Sequence, residues 1–401
     1  MTGAPHIFLS AGEASGDLHA SALIEHLRAL RPDARFTFLG GDMMAAAAGS
    51  GPLIHYRDMA YMGFSEVLRN LGKIRANLDT AREALRRERP DALVLVDYPS
   101  FNLRLAREAR KLDIPVYYFI PPKVWAWKKR RGREIAATTR RVFSILPFEE
   151  RFWSENFDYQ VSYVGNPTVN EVDAKLAALP SREEFCRRHG LDPSRPILAL
   201  LPGSRRGELR NNLPVMDAVA RRHPELQAVI ALAPSLDPRL YTAYSSLPGV
   251  ADATFELLAH ARAALVTSGT ATLEAALIGV PQVVCYRANG SRFSYNLFKH
   301  ILNVDYVSLP NLVADRSVVA EQLLHLCTPE AVDARLAPLV DDGEARSLML
   351  AGYADIRRRL GDGIAGREAA AMIVGDLQPS VVGGVVDAQA EAGSGQGDVL
   401  E

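Results

Sequence analysis

Cysteine is nearly absent from this chain of 401 residues. Cys186, Cys285 and Cys327 are odd in number, lie far apart and form no C-x-x-C pair, which excludes a disulfide framework and a zinc cage and fits a reducing compartment. No apolar run approaches the eighteen or so residues of a membrane span, so contact with a bilayer would be peripheral. A net charge of −1 gives no electrostatic argument for a nucleic-acid partner. The Ala11–Asp17 loop after the first apolar run is neither a Gly-Lys-Ser/Thr phosphate loop nor a G-x-G-x-x-G fingerprint, so nucleotide hydrolysis and NAD binding both lose support. Nor is there an Asp-x-Asp pair, the usual carboxylate set for a metal-held diphosphate. No cofactor and no metal are expected. Met1-Thr-Gly-Ala-Pro-His6 lacks a basic segment and acids follow at Glu13 and Asp17, so no signal peptide is read.

What is present is a soluble α/β composition, 48% hydrophobic, with length for two or three domains. Apolar runs at Ile7–Ser10, Phe36–Leu39, Ala92–Val96, Val116–Ile120, Val142–Leu146 and Val161–Val164 alternate with helical spacing and end at Gly165-Asn166-Pro167, a composition suited to a hinge. The pattern resumes at Ile197–Leu201, Gln227–Leu232, Ala264–Thr267 and Gln282–Tyr286. Helices are expected from Leu18 to Leu30 with Asp17 as N-cap, from Met59 to about Leu78, from Glu171 to about His189, and from about Glu344 to Leu377. Gly279 and Pro281 should stop the helix that follows Ser268–Glu274, and Pro214 is expected in the first turn of its helix. The domains so read are 1–168, 169–345, helices over 346–378 with a return to the first domain left open, and a Gly-rich acidic tail over 379–401 expected to be disordered.

Two stretches organise the chemistry. Leu201-Pro-Gly-Ser-Arg-Arg-Gly-Glu208 and Ser268-Gly-Thr-Ala-Thr-Leu-Glu274 each follow a strand and precede a helix. Each therefore sets a Gly/Ser loop and a helix N-terminus, with its unpaired N–H groups, at the carboxyl edge of a parallel sheet. Gly203 and Gly269 admit close approach, Arg205 offers a forked bond to phosphate, and Ser204, Ser268 and Thr270 offer hydroxyls. An ordinary strand–glycine–helix turn competes for either stretch alone; the pair suggests a diphosphate.

Asp97 ends the buried-strand run Ala92–Val96, where a carboxylate can take a proton from an attacking hydroxyl or cap the next helix. Glu13 lies in the Ala11–Asp17 loop, also at the crevice edge. Trp125 and Trp127 stand beside Lys128, Lys129, Arg130, Arg131 and Arg133, a mixture suited to an anionic lipid surface; a solvated helix face is the plain alternative, and nucleic acid a weaker one. Met62 and Phe64 either face the core or line an acyl groove. Ser308-Leu-Pro-Asn311 is a polar interruption able to return to the crevice.

In order, Ala11–Asp17, Tyr61–Val67, Asp97–Asn102, Val124–Trp127, Leu146–Glu149, Leu201–Arg205, Ser268–Glu274 and Ser308–Asn311 resemble the motifs of the lipid-A-disaccharide synthases. The resemblance covers about residues 7–375. It implies a GT-B fold, two Rossmann-like domains with a cleft between them, the first binding the acceptor and the second a UDP-sugar. It also implies an inverting transfer of 2,3-diacylglucosamine from UDP to the 6-hydroxyl of 2,3-diacylglucosamine 1-phosphate, giving a β-1,6 disaccharide. Partners would be UDP-diacylglucosamine, the acylated glucosamine 1-phosphate and the cytoplasmic face of the inner membrane, with no nucleic acid; a homodimer is left open. By the same resemblance Asp97 is the general base with Glu13 beside it. Gly203, Ser204, Arg205, Glu208, Ser268, Gly269, Thr270, Glu274 and Asn311 bind the donor, Glu274 on the ribose. Ser15, Met62, Phe64, Trp125, Trp127, Lys128 and Arg131 serve the acceptor or membrane. Counted from Thr270 as N-cap, Glu274 lies one place past the capping-box position, so capping does not account for it. Asn166 stands where the family usually has histidine, and the tail has no family counterpart. Other readings are a UDP-N-acetylglucosamine 2-epimerase, a peptidoglycan glycosyltransferase, a nucleotide-sugar-sensing peripheral membrane protein, and a Rossmann-type redox enzyme.

Overall fold

The structure is a computed structural model that describes residues 3–59, 70–125, 129–287 and 306–377. Met62, Phe64, Trp127, Lys128 and the tail lie outside the described residues. The first sheet contains β1 (His6–Ala11), β2 (Arg35–Gly40), β3 (Ile54–His55), β4 (Ala92–Val96), β5 (Val116–Phe119), β6 (Arg141–Ser144) and β7 (Ser162–Tyr163). Their order is β3-β2-β1-β4-β5-β6-β7, parallel throughout. The second sheet contains β8 (Ile197–Leu201), β9 (Gln227–Leu232), β10 (Gly249–Ala251), β11 (Ala261–Thr267), β12 (Gln282–Tyr286) and β13 (Ala320–Leu323), in the order β10-β9-β8-β11-β12-β13, also parallel. The short edge strands β3, β10 and β13 carry too few apolar residues to be read from sequence. Central strands are continuous buried apolar runs, as a sheet covered on both faces requires.

The helices in chain order are α1 (Ala14–Leu30), α2 (Asp42–Ala48), α3 (Leu71–Glu88), α4 (Pro99–Lys111), α5 (Lys129–Thr138), α6 (Phe148–Phe157), α7 (Pro167–Ala177), α8 (Arg182–His189), α9 (Arg206–Ala220), α10 (Thr254–Ala259), α11 (Thr270–Ile278), α12 (Leu309–Ala314), α13 (Pro329–Val340), α14 (Glu344–Leu360) and α15 (Ala365–Leu377). Two apolar clusters flank each sheet. The last helix, α15, packs on α1 of the first sheet through Ala365, Ala369, Ala370, Ile373 and Val374, and Asp376 pairs with Arg141 at 2.9 Å.

Several local expectations are corrected. Asp17 lies inside α1 and caps a different helix: its carboxylate accepts from the N–H groups of Gly41 (2.6 Å), Met43 (3.1 Å) and Met44 (3.2 Å), completing the N-terminus of α2. The helix expected over 171–189 is two, α7 and α8, because Pro180 interrupts and Ser181 caps α8 through Glu184 N–H. The helix expected over 344–377 breaks at Gly361 into α14 and α15. Pro214 sits in the middle of α9, because the helix already starts at Arg206; the carbonyl it leaves unpaired belongs to exposed Arg210, where water can serve. The helix expected from Met59 is described only from Leu71 onward, and it runs on to Glu88.

Candidate active site

In each sheet the strand order reverses between the first strand of the unit and its neighbour, and a crevice opens at the carboxyl ends there. In the first sheet this point lies between β1 and β4, with Ala11 paired to Val96. Glu13 and Asp97 are the next carboxylates along the two strands. In the second sheet it lies between β8 and β11, with Leu201 paired to Val266, so the two Gly/Ser turns leave adjacent strands.

A buried asparagine ties each pair of strand ends. Asn102, on α4, donates to the carbonyls of Asp97 (2.8 Å), Val96 (3.2 Å) and Ser10 (3.3 Å) and accepts from the Ser10 hydroxyl at 2.7 Å. Asn212, on α9, donates to Pro202 carbonyl (3.3 Å) and Thr267 Oγ1 (3.1 Å) and accepts from Arg287 N–H at 2.7 Å.

Asp97 and Tyr98 both adopt the left-handed region, φ +44 each, an uncommon state for side chains of this size that the surroundings must impose. The Tyr98 ring lies where a Cβ on Gly12 would stand, at 2.2 Å, and its hydroxyl donates to Met59 carbonyl at 2.8 Å. Tyr118 hydroxyl donates to Asp97 carbonyl at 2.7 Å. The N-cap of α4 is Tyr98 and no side chain caps this helix, so the capping alternative for Asp97 falls away. Burial pushes the Asp97 carboxyl up to about 6, the negative charge of Glu13 adds to this, and the Tyr98 N–H and Lys123 oppose it. Ser15 donates to Glu13 at 2.5 Å. Arg131, on α5, donates to Ser100 at 3.1 Å, which puts it beside the Asp97 loop.

Across the cleft, a cavity of about 550 Å³ is lined by Gly203, Ser204, Arg205, Glu208, Ser268, Gly269 and Thr270 among others, with Lys123 reaching it from the first domain. Gly203 has φ +111 and a Cβ there would lie 2.5 Å from Glu208, so only glycine fits. Glu208 is engaged within its own turn, three residues after the N-cap Arg205: it accepts from Ser204 N–H at 3.0 Å and from Arg205 at 3.1 Å. Ser235 donates to Ser204 carbonyl at 2.8 Å. In the second turn the N-cap is Gly269 rather than Thr270, which moves Glu274 a further place from the capping box. Glu274 is half-buried; burial raises its carboxyl, Lys175 opposing and Glu171 assisting.

Two expected site residues, Trp125 and Asn311, prove structural, as does Asn166, for which no role was expected. Trp125 is 5% exposed: it stacks edge-on to Phe148 at 5.3 Å, joins the second sheet's core and donates its indole N–H to Glu149 at 2.8 Å. A ring so enclosed cannot meet a membrane, and the interfacial reading of Trp125 is withdrawn. Asn311 is 1% exposed and fully bonded, donating to Val319 carbonyl and Glu321 and accepting from the N–H groups of Val318 and Val319, so nothing is left for a nucleotide. Asn166 caps α7 through Thr168 N–H and donates to Ile145 carbonyl at 2.8 Å.

Sequence reasoning missed Lys123 and Glu149, though both lie within or beside quoted motifs. Glu149 is fully enclosed, accepts from Trp125 and Ser144, and burial lifts its carboxyl to about 7. The signal available was charge inside an apolar motif, Pro121-Pro-Lys-Val-Trp125 and Leu146-Pro-Phe-Glu149. Among the described residues no three His, Cys, Asp or Glu side chains converge as a metal cage, and no helix is long and apolar enough to cross a membrane.

Comparison with known proteins places this geometry. The chain is 41% identical over 391 residues to the lipid-A-disaccharide synthase of Myxococcus xanthus (strain DK1622), covering 95% of this chain and 100% of that one. It is 37% identical over 389 residues to the enzyme of the same name from Nitrosococcus oceani, covering 95% and 98%. In fold it is similar to the UDP-GlcNAc 2-epimerase of Neisseria meningitidis bound to UDP-GlcNAc (TM-score 0.64, 14% identity, covering 93% and 99%). It is likewise similar to the calicheamicin glycosyltransferase CalG4 (TM-score 0.56, 18% identity, covering 94% and 100%). These likenesses give the architecture as GT-B. The family model described as lipid-A-disaccharide synthetase matches residues 7–370, and the chain belongs to that glycosyltransferase family.

Proposed function

We propose that the protein condenses UDP-2,3-diacylglucosamine with 2,3-diacylglucosamine 1-phosphate to form the β-1,6 lipid A disaccharide 1-phosphate and UDP. The observation that carries this reading is the pairing across one cleft of two anion-binding turns with a carboxylate held near neutral pKa. The 6-hydroxyl of the acceptor must lose a proton as it attacks the anomeric carbon. Asp97, poised at about 6, is ionised at pH 7 yet basic enough to take it. The loss of UDP leaves negative charge on the diphosphate, which the N–H groups at the starts of α9 and α11, Ser204, Ser268, Thr270 and the Arg205 guanidinium stabilise. Glu274 serves the ribose hydroxyls. Glu208 acts one step removed, fixing the turn and Arg205.

The acceptor binds along the first domain, its polar end near Glu13, Ser15 and Arg131. Met62, Phe64, Trp127 and Lys128 meet the acyl chains or the cytoplasmic face of the inner membrane, where basic and aromatic side chains suit anionic headgroups. The test is incubation with both substrates followed by mass spectrometry for the disaccharide. UDP binding without product would favour a nucleotide-sugar sensor instead.

A further inference from the structure

Of the residues that line the cleft beside the two turns, Lys123 stands apart because it comes from the first domain, from the Pro121–Val124 loop that follows β5. We infer that Lys123 is a diphosphate ligand delivered across the cleft, so that the acceptor domain supplies part of the donor site. This rests on the proposed reaction.

Four observations converge. First, Lys123 lines the same cavity as Gly203, Ser204, Ser268, Gly269 and Thr270, the turn residues proposed above to receive the diphosphate. Second, the other cation there, Arg205, already shares its charge with Glu208 of its own turn at 3.1 Å, whereas Lys123 makes no salt bridge within 4 Å among the described residues. Third, the Lys123 side chain is exposed in the cleft, where a ligand can reach it. Desolvation by the surrounding walls lowers its pKa, and the carboxylates of Glu149 and then Asp97 pull the other way. Fourth, the backbone that presents it is held: Pro121 and Pro122 fix φ on one side, and on the other Val124 and Trp125 are buried, with Trp125 anchored to Glu149. A compact, mobile ammonium on such a base suits a leaving diphosphate as a point charge, while the preorganised turns supply direction.

A cation contributed by the opposite domain also couples chemistry to closure, because its contact with the phosphates is complete only when the two sheets' carboxyl edges come together. The measurement is calorimetric titration of the full-length protein with UDP and with UMP, for wild type, Lys123→Met and Lys123→Arg. Lys123→Met should shrink the preference for UDP over UMP about tenfold, the scale of a lost bond to a charged group, and Lys123→Arg should retain most of it. Turnover by Lys123→Met should fall about a hundredfold.

An unchanged UDP-to-UMP ratio in Lys123→Met overturns the inference, as does equal loss of both ligands, which would mark a structural role. The binding readout needs no product, so a wild type that binds UDP but forms no disaccharide defeats the proposed reaction while the ratio still decides Lys123. A wild type that does not bind UDP defeats both.

Discussion

Asn102 and Asn212 tie together the ends of the two strands that flank each crevice, both buried but from opposite sides, Asn102 on the helix after β4 and Asn212 on the helix after β8. Truncation to alanine leaves several buried polar groups without a partner, at about 2 kcal/mol of stability for either residue. Function should divide between them. Asn212→Ala should weaken UDP binding about tenfold, since the Pro202 carbonyl and Thr267 are released. Asn102→Ala should leave UDP binding near wild type and reduce turnover, because it frees the Asp97 backbone. Thermal melts with UDP calorimetry check this; a UDP deficit in Asn102→Ala as large as in Asn212→Ala would refute the division.

Asp97→Asn is expected to separate catalysis from stability. Turnover should drop by about a hundredfold or more, the scale of general-base catalysis, with UDP affinity retained. A carboxyl raised in the fold from 3.8 to about 6 binds more protons folded than unfolded between those pH values. Its charge therefore weakens the fold as pH rises through that window, and the full penalty of about 3 kcal/mol is present above it. The amide removes that penalty, so at pH 8 the variant should melt at a higher temperature than wild type while at pH 3 the difference disappears. Near-wild-type turnover would remove Asp97 from the mechanism.

The pH dependence of kcat/KM should show an acid limb near 6, activity rising as Asp97 ionises. Glu13, Lys123 and Tyr118 are the ionisable groups that face it. Glu13→Gln deletes the like charge that helps raise Asp97, so the limb should move to lower pH. Initial rates from pH 4.5 to 8.5 decide this, and a limb unmoved in Glu13→Gln would leave burial as the whole cause.

Most of the architecture was legible, because central strands of a doubly covered sheet are continuous apolar runs, and Ala92–Val96, Ile197–Leu201, Gln227–Leu232 and Gln282–Tyr286 stand where periodicity put them. Helix boundaries failed at local breaks, Pro180 and Gly361, while the misread roles came from tertiary partners. Asp17 has every local mark of an N-cap for α1, yet Gly41, Met43 and Met44 claim its oxygens from another segment. Trp125 and Trp127 read as one patch, but Trp125 turns inward to a glutamate 24 residues later. Lys123 escaped because nothing in its neighbours says that the opposite domain's turns stand across from it.

The turn from Leu201 to Glu208 should be intolerant of a single methyl. Gly203→Ala imposes φ +111 on a residue with a Cβ and drives that carbon into Glu208, disturbing the bonds to Ser204 N–H and Arg205. UDP affinity should fall at least tenfold. Charge neutralisation here is assigned to helix N-termini, hydroxyls and cationic side chains, so wild-type turnover should survive EDTA. Complete loss, restored by magnesium, would overturn that assignment.

Trp125 offers the sharpest separation of packing from membrane contact. Trp125→Ala empties a site between the two domains, beside Phe148 and among Leu146, Val169 and Val172, and leaves Glu149 one donor short. The expected cost is about 3–5 kcal/mol, on the scale of large-to-small core substitutions. Trp125→Phe keeps most of the volume and loses the second ring with its indole N–H, so it should cost less. Neither change should alter partitioning onto vesicles containing anionic lipid, since the ring is 5% exposed. Trp127→Ala or Lys128→Ala should weaken that partitioning instead. Co-sedimentation with vesicles of one-third phosphatidylglycerol, run beside denaturant melts, measures both quantities; reduced sedimentation of folded Trp125→Phe would return this residue to the membrane surface.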